Sequence, residues 1–452
     1  MKNLSLLVLC MLLTGCSIES ESIYTTPKVI YPMHWKKNSS AELKFSLNDF
    51  QDPLLSKFLS EIIKNNNNLA ISMLRVQRAQ LEVDKDKIIS EPRVNATFNS
   101  GANSILTNAS NWTINNSSNF NASYELDLWH KLSQQHDIAK LARDITKDEL
   151  RLVRLTLLTT ASNNYWKLAF INHQIKLIHQ NIDYAKETVR LAKIRYQSGG
   201  SSAVEVLNAE QNLLMQENFI TAKNNERLIA ENEQALLLGI QPGMAPYQLM
   251  SLPKLQLPKV NSGIPVSALR HRPDVHAKEL QLRSALGNID IKNKQYYPDF
   301  SLTTALGSSS KKLLEFIRNP ISSSVTAVFS LPFLELRKMK VDSKIAYNDY
   351  EQIVLDFKQT LYNAMVSIED ALSLRMQLIG QEKSLQDSLA HARKIEYLNK
   401  VRYKQGSLPI SSWLDSQEQC RQIEFSLALN RFEQYKNLAK IYFELGGDDS
   451  VL

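Results

Sequence analysis

Arg195-Tyr196-Gln197-Ser198-Gly199 recurs 207 positions later as Arg402-Tyr403-Lys404-Gln405-Gly406. Leu238-Gly239 recurs at the same offset as Leu445-Gly446. Pro92, ahead of Arg93-Val94-Asn95-Ala96-Thr97, has its counterpart 206 positions on in Pro298, ahead of Asp299-Phe300-Ser301-Leu302-Thr303. Landmarks this far apart keep register to within one position, the mark of a duplicated unit of about 200 residues.

Working outward, each half shows the same succession of textures. A helical stretch (about 65–90 and 272–296) leads into two strand-like stretches, then one very long helix and a shorter one. The helices show by what they lack. Residues 131–198 contain neither Pro nor Gly, 337–405 contain no Pro and only Gly380, and 410–445 contain no breaker. At a rise of about 1.5 Å per residue, 131–198 predicts a helix roughly 100 Å long. Its apolar series Leu168, Ile171, Ile175, Ile178, Ile182, Ala185, Val189, Ala192, Tyr196 is a heptad seam. Nearer the start, Ile138, Leu141, Ile145, Leu152 and Leu155 keep another phase, so the packed face changes along the helix.

The strand-like stretches alternate. Val94, Ala96 and Phe98 interleave with Asn95, Thr97 and Asn99, and Phe120, Ala122, Tyr124 and Leu126 with Asn119, Asn121, Ser123 and Glu125. Phe300, Leu302, Thr304 and Leu306 interleave with Ser301, Thr303 and Ala305, and Val325, Ala327, Phe329 and Leu331 with Ser324, Thr326 and Ser330, broken only by Val328. One apolar and one polar face describes a half-buried soluble sheet or a membrane strand. The Asn/Ser/Thr character of the polar face, and the aromatics Trp129, Tyr296, Tyr297 and Phe333 at strand ends, favour the membrane. An open sheet edge is not tolerated in lipid, and closed barrels begin at about eight strands, so four strands require several copies to pool them.

The totals agree with an envelope protein. The chain has 452 residues and a formal charge of +7, with both signs interspersed and no nucleic-acid tract. Cys10, Cys16 and Cys420 make no disulfide framework, and no run after residue 16 is apolar enough for a transmembrane helix. Lys2 and the apolar run Leu4–Leu13 read as a secretory signal that ends in Leu13-Thr14-Gly15-Cys16, which resembles a lipobox; Cys16 is then the lipid attachment site, and Ser17 after it favours the outer membrane. Catalytic constellations are missing: the eight His form no His-Glu-x-x-His pair, there is no phosphate-binding Gly loop and no nucleophile elbow, so no enzyme, cofactor or metal is expected.

Leu269-Arg270-His271-Arg272-Pro273-Asp274-Val275-His276-Ala277 resembles the hallmark of the outer membrane efflux protein family, the TolC-like group, in its lipoprotein branch serving resistance-nodulation-division pumps. Tyr297-Pro298-Asp299-Phe300, Tyr124-Glu125-Leu126-Asp127-Leu128-Trp129, Asp52-Pro53, Asn68-Leu69-Ala70 and the two Arg-Tyr-x-x-Gly turns fit the same pattern, over nearly the whole mature chain. The resemblance implies a mainly α fold with a transmembrane β portion, in which a homotrimer builds a 12-stranded outer-membrane barrel continued by a periplasmic helical barrel. It implies a passive exit duct for small molecules in a tripartite efflux system, partnered by a periplasmic adaptor and an inner-membrane pump. The division expected is a signal peptide (1–15), a lipidated extension (16–60), a first repeat (61–241; strands about 92–104 and 118–128, helices about 131–198 and 201–238), a Pro-rich equatorial linker (242–268), a second repeat (269–447; strands about 298–308 and 322–333, helices about 337–405 and 410–445) and a tail (448–452).

In that family the helix tips meet the adaptor and the second tip closes as an iris. Arg195, Tyr196, Gly199, Arg402 and Tyr403 are the expected adaptor contacts, although basic residues before a Gly turn also complement a helix C-terminus. Relatives often carry acidic residues after the second Gly; here the run is Gly406-Ser407-Leu408-Pro409-Ile410, which points to an apolar constriction at Leu408, with Asp415 further along. Arg272, Pro273 and Asp274 are expected to be structural, at the start of a helix. Two other readings stand beside this one. The exit duct of a type I protein secretion system shares the fold, and a structural periplasmic coiled-coil lipoprotein would lack alternating strands.

Overall fold

The computed structural model describes residues 50–104, 112–253, 269, 271–312, 320–330, 332 and 335–447. Cys16, the signal segment, Leu331, Phe333, most of the Pro-rich link and the C-terminal tail lie outside them. In chain order the elements are helices α1 (Pro53–Asn65) and α2 (Asn67–Ile89), strands β1 (Arg93–Asn103) and β2 (Thr113–Leu126), helices α3 (Lys131–Gln197), α4 (Ala203–Leu238) and α5 (Pro273–Lys294), strands β3 (Asp299–Ser310) and β4 (Ser322–Ser330), and helices α6 (Leu336–Lys404) and α7 (Ile410–Glu444). Helix α1 falls largely within the stretch read from sequence as an extension. The chain divides into two compact units, one of residues 75–147 and 277–359, the other of 148–276 and 360–452 with the segment leading to Leu74.

The first unit holds one antiparallel sheet in the order β1-β2-β3-β4. Its register brings the four alternations into phase. Val94 pairs with Ala122, Ala122 with Thr304 and Thr304 with Val325; Tyr124 pairs with Leu302 and Leu302 with Ala327; Leu126 pairs with Phe300 and Phe300 with Phe329. Because paired residues share a face, the apolar sets form one continuous surface, and Asn95, Asn121, Ser123, Thr303, Ser324 and Thr326 occupy the other. The apolar surface is bare: Val94, Phe98, Phe120, Leu306, Val325 and Phe329 are all about half exposed or more. A soluble sheet buries that face. β1 and β4 are exposed along their whole length.

The strand–helix corners explain the aromatics. Asp127 accepts hydrogen bonds from the Leu132 and Ser133 backbone N–H groups at 2.9 and 2.8 Å, capping α3. The Trp129 indole N–H donates to the Pro298 carbonyl at 2.7 Å and its ring meets Tyr297 edge-on, while Lys131 bridges Asp299 and Glu125 at 2.9 and 3.0 Å. Tyr296 is buried and donates to Asp342 at 2.7 Å. Trp129 thus ties the first repeat's corner to the second's, and Tyr296 ties the start of β3 to α6.

The second unit has an aromatic core. Phe50, Phe58, Tyr165, Trp166, Tyr247, Tyr435 and Tyr442 are buried together with Leu55, Ile62, Leu158, Leu238 and Leu438. Trp166 stands 4.9 Å from Phe50 and 5.1 Å from Tyr435, ring centre to ring centre. Asp52 caps α1 through the Leu54 and Leu55 N–H groups (3.0 and 3.1 Å), and its other oxygen accepts from the Tyr165 hydroxyl at 3.1 Å. Burial and that carboxylate push the Tyr165 phenol pKa up. The α3 seam packs over its length: every member from Leu168 to Ala192 is buried, whereas Tyr196 is 50 % exposed. The seam thus stops one turn before the helix does.

Candidate functional site

The two helix–helix turns of the second unit are built alike. In the first, the Gly199 N–H donates to the Tyr196 carbonyl at 3.0 Å and the Gly200 N–H to the Arg195 carbonyl at 2.8 Å. In the second, the Gly406 N–H donates to the Tyr403 carbonyl at 2.9 Å and the Ser407 N–H to the Arg402 carbonyl at 3.0 Å. Gly199 and Gly406 sit at φ +74° and +77°, the left-handed conformation that a Cβ disfavours, so each helix is closed by a glycine-based cap. Pro409 then opens α7 with its fixed φ of −70°.

From equivalent positions the side chains do opposite things. Arg195 reaches across to the second turn: its guanidinium lies 4.6 Å from the Tyr403 ring centre, one NH₂ group donates to the Tyr403 carbonyl at 3.0 Å, and the other donates to the Gly200 carbonyl at 3.2 Å. Arg402, its counterpart, is exposed. Tyr196 presents its ring to solvent, but Tyr403 is 0 % exposed and packs on Trp413 at 5.2 Å. Tyr403 was expected to be an adaptor contact; its side chain is instead inside a small core with Val189, Ala192, Ala209, Ile410 and Trp413. Burial raises its phenol pKa, with Arg195 opposing and Glu205 adding to the rise.

Around this core, Trp413 donates to Glu396 at 2.9 Å, and the Lys400 ammonium donates to the Tyr184 hydroxyl at 3.0 Å while lying 4.5 Å from that ring's centre. Leu408 is half-buried, Ser407 donates its hydroxyl to the Arg402 carbonyl at 3.1 Å, and Gly406 and Asp415 are exposed. The structure therefore joins Arg195, Tyr403 and the two Gly turns, and leaves Tyr196, Arg402 and Asp415 open to solvent. Trp413 escaped the sequence reading. The signal was there: 207 positions earlier stands Val206, so the second turn alone carries a ring for Tyr403 to pack on.

The Arg-Pro-Asp segment is a buried clamp. Arg272 is 7 % exposed and grips Asp274 with two hydrogen bonds, at 3.1 and 2.8 Å, and pairs with Glu444, itself 5 % exposed, at the end of α7. Burial disfavours the guanidinium charge, and Asp274 and Glu444 more than offset it, so its pKa lies above the ordinary arginine value. Asp274 accepts from the Val275 N–H at 2.9 Å, inside the first turn after Pro273. The segment joins the start of α5 to the end of α7.

Among the described residues no helix is long and apolar enough to cross a membrane, and no group of three or more His, Cys, Asp or Glu is placed to hold a metal ion. Cys420 is a free, half-buried thiol whose pKa burial pushes up.

The toxin and drug export protein A of Aggregatibacter actinomycetemcomitans is 24% identical over 457 residues, spanning 100% of this chain and 99% of that one. The probable outer membrane lipoprotein SilC of Salmonella typhimurium is 22% identical, spanning 96% of each. The crystal structure of CusC superposes with a TM-score of 0.85 at 22% identity, covering 96% of this chain and 100% of that one. Residues 58–240 and 264–447, the two halves of the duplication, each match the outer membrane efflux protein family, and the chain belongs to that family of outer-membrane efflux channels.

Proposed function

We propose that the chain is the outer-membrane exit duct of a tripartite efflux system, a passive conduit that assembles as a homotrimer. The carrying observation is the sheet: four strands, one continuous apolar face left bare, and two outer strands exposed from end to end. In lipid, each unpaired N–H or C=O costs several kcal/mol, so the β1 edge of one copy needs the β4 edge of another. Three copies give a 12-stranded barrel, within the range of closed outer-membrane barrels. The Asn/Ser/Thr face then lines a watery lumen. A purely structural coiled-coil lipoprotein has no use for such a sheet.

Lipidation at Cys16 anchors the duct, in keeping with the name of the lipoprotein relative. Arg195, Tyr196, Gly199 and Arg402 form the surface offered to a periplasmic adaptor, which links the duct to a resistance-nodulation-division pump. Exposed Tyr196 and Arg402 support this, since both are residue types that anchor interfaces. The second turn is the gate: Gly406, Ser407, Leu408 and Pro409 narrow the lumen, Leu408 supplying an apolar constriction and Asp415 a charge behind it. The Arg195–Tyr403 contact holds the second turn against the first in the closed state.

Reconstitution in planar bilayers tests this reading. The wild-type protein forms a low-conductance pore, and Leu408→Ser raises the single-channel conductance. A protein that inserts and gives no pore, in either form, refutes the duct.

A further inference from the structure

The helices of the first unit stand in the same order as its strands. α2 meets α3 where Arg143 donates to the Gln80 side chain at 3.2 Å, α3 meets α5 where Gln134 donates to Asp290 at 3.2 Å, and α5 meets α6 where Lys278 and Asp356 stand 4.0 Å apart. α2 and α6 are therefore the outer helices of this row, as β1 and β4 are the outer strands of the sheet. α2 leads into β1 and β4 leads into α6, so the two outer helices continue the two outer strands.

The outer helices carry mirrored charges. α2 has Arg75, Glu82 and Asp86, at intervals of seven and four residues; α6 has Lys340, Lys344 and Glu351, at intervals of four and seven. Such intervals keep each set on one stripe of its helix. All six are exposed except Asp86, which is half-buried. Among the described residues Glu82 pairs with Lys85 of its own helix at 3.1 Å, and the other five form no ion pair. Laid antiparallel, the two sets match opposite signs at all three positions. Laid parallel, the seven-residue interval sets Arg75 on Lys344 and Glu82 on Glu351, like on like. Antiparallel is the direction that the sheet imposes, since every strand pair in it is antiparallel. The level agrees too: Asp86 lies three residues inside the end of α2 and Lys340 four inside the start of α6. Joining the β1 edge of one copy to the β4 edge of the next brings those two residues side by side.

We propose that α2 of one copy docks along α6 of a second copy, with Arg75 against Glu351, Glu82 against Lys344 and Asp86 against Lys340. The proposal rests on the assembly of copies through the two sheet edges and adds the residues that meet beside them. The pairs do not form within one chain, because α3 and α5 stand between the two helices. Charges that flank a helix seam choose the partner and its direction.

Charge reversal tests the pairing. The dissociation rate of the full-length complex in detergent is read by native mass spectrometry, at a temperature that dissociates the wild-type protein over minutes to hours. Arg75→Glu or Glu351→Arg alone sets like charges together at every seam and speeds dissociation about tenfold; the two combined return it close to the wild-type rate. Glu82→Lys and Lys344→Glu repeat the pattern at the second position. Added salt speeds dissociation of the wild type and slows that of the single reversals, because screening weakens attraction and repulsion alike. A wild-type complex of several chains that is indifferent to both single reversals, or a combined variant no slower than the singles, overturns the pairing and leaves the duct standing. A wild-type protein that runs as one chain removes the assembly itself, and the pairing with it.

Discussion

At the residue scale, burial decides what a charged or aromatic side chain does. Arg195 and Arg402 stand in the same motif, yet only Arg195 bridges the two turns. Arg195→Ala is expected to speed hydrogen exchange of the Gly200 and Ser407 amides by about tenfold, the equivalent of one charged hydrogen bond, while Arg402→Ala leaves them unchanged; Arg195→Lys restores the charge but not the two-pronged geometry and recovers only part. At Arg272 the stakes are higher. Arg272→Ala strands the buried Glu444 carboxylate and is expected to lower stability by about 3–5 kcal/mol, read as a fall in the unfolding midpoint of the detergent-solubilised protein. His173 carries a pH dependence. Burial, Lys176 and Arg431 hold its pKa below the ordinary imidazole value, against a smaller opposing pull from Glu424. The folded chain therefore keeps it neutral while the unfolded chain takes up a proton first, so its contribution is whole above about pH 6.5 and is lost as pH falls below that. His173→Gln should flatten the midpoint between about pH 7 and 5. The sequence alone does not rank these residues: the motif Arg-Tyr-x-x-Gly reads the same in both halves, and only the neighbour at position 206 or 413, Val or Trp, tells which Tyr is enclosed.

At the element scale more was legible, because helices and strands obey local rules. The stretch without breakers is one helix from Lys131 to Gln197, and its heptad seam from Leu168 to Ala192 is the buried face. The alternating runs are strands whose apolar sets fall on one surface. The partners of the strand-end aromatics were not legible: Tyr296 donates to Asp342 and Trp129 to Pro298, distant in the chain, and no local pattern reveals either. Two glycines within the same hairpin separate turn from helix. Gly406→Ala, at φ +77°, should destabilise the turn by about 1–2 kcal/mol, whereas Gly380→Ala, inside α6 and with open space where its Cβ would go, should stabilise the helix by up to about 1 kcal/mol. Denaturant midpoints of the two variants relative to wild type check both signs.

For the whole molecule, the duplication is the organising fact. Each half supplies two strands and cannot satisfy a sheet edge, and joining the halves in one chain still leaves β1 and β4 as the outer strands of the sheet among the described residues. The two faces of the sheet make separate predictions. Phe120→Arg or Val325→Arg, on the apolar surface, should cost about 2–4 kcal/mol near the bilayer midplane and reduce the protein recovered in washed outer membranes, while Asn119→Arg on the opposite face should leave recovery intact. Native mass spectrometry of the wild-type protein, released from detergent, tests the account most directly. It predicts a complex of three chains that survives dilution and is lost only on denaturation; a stable species of one folded chain would contradict it.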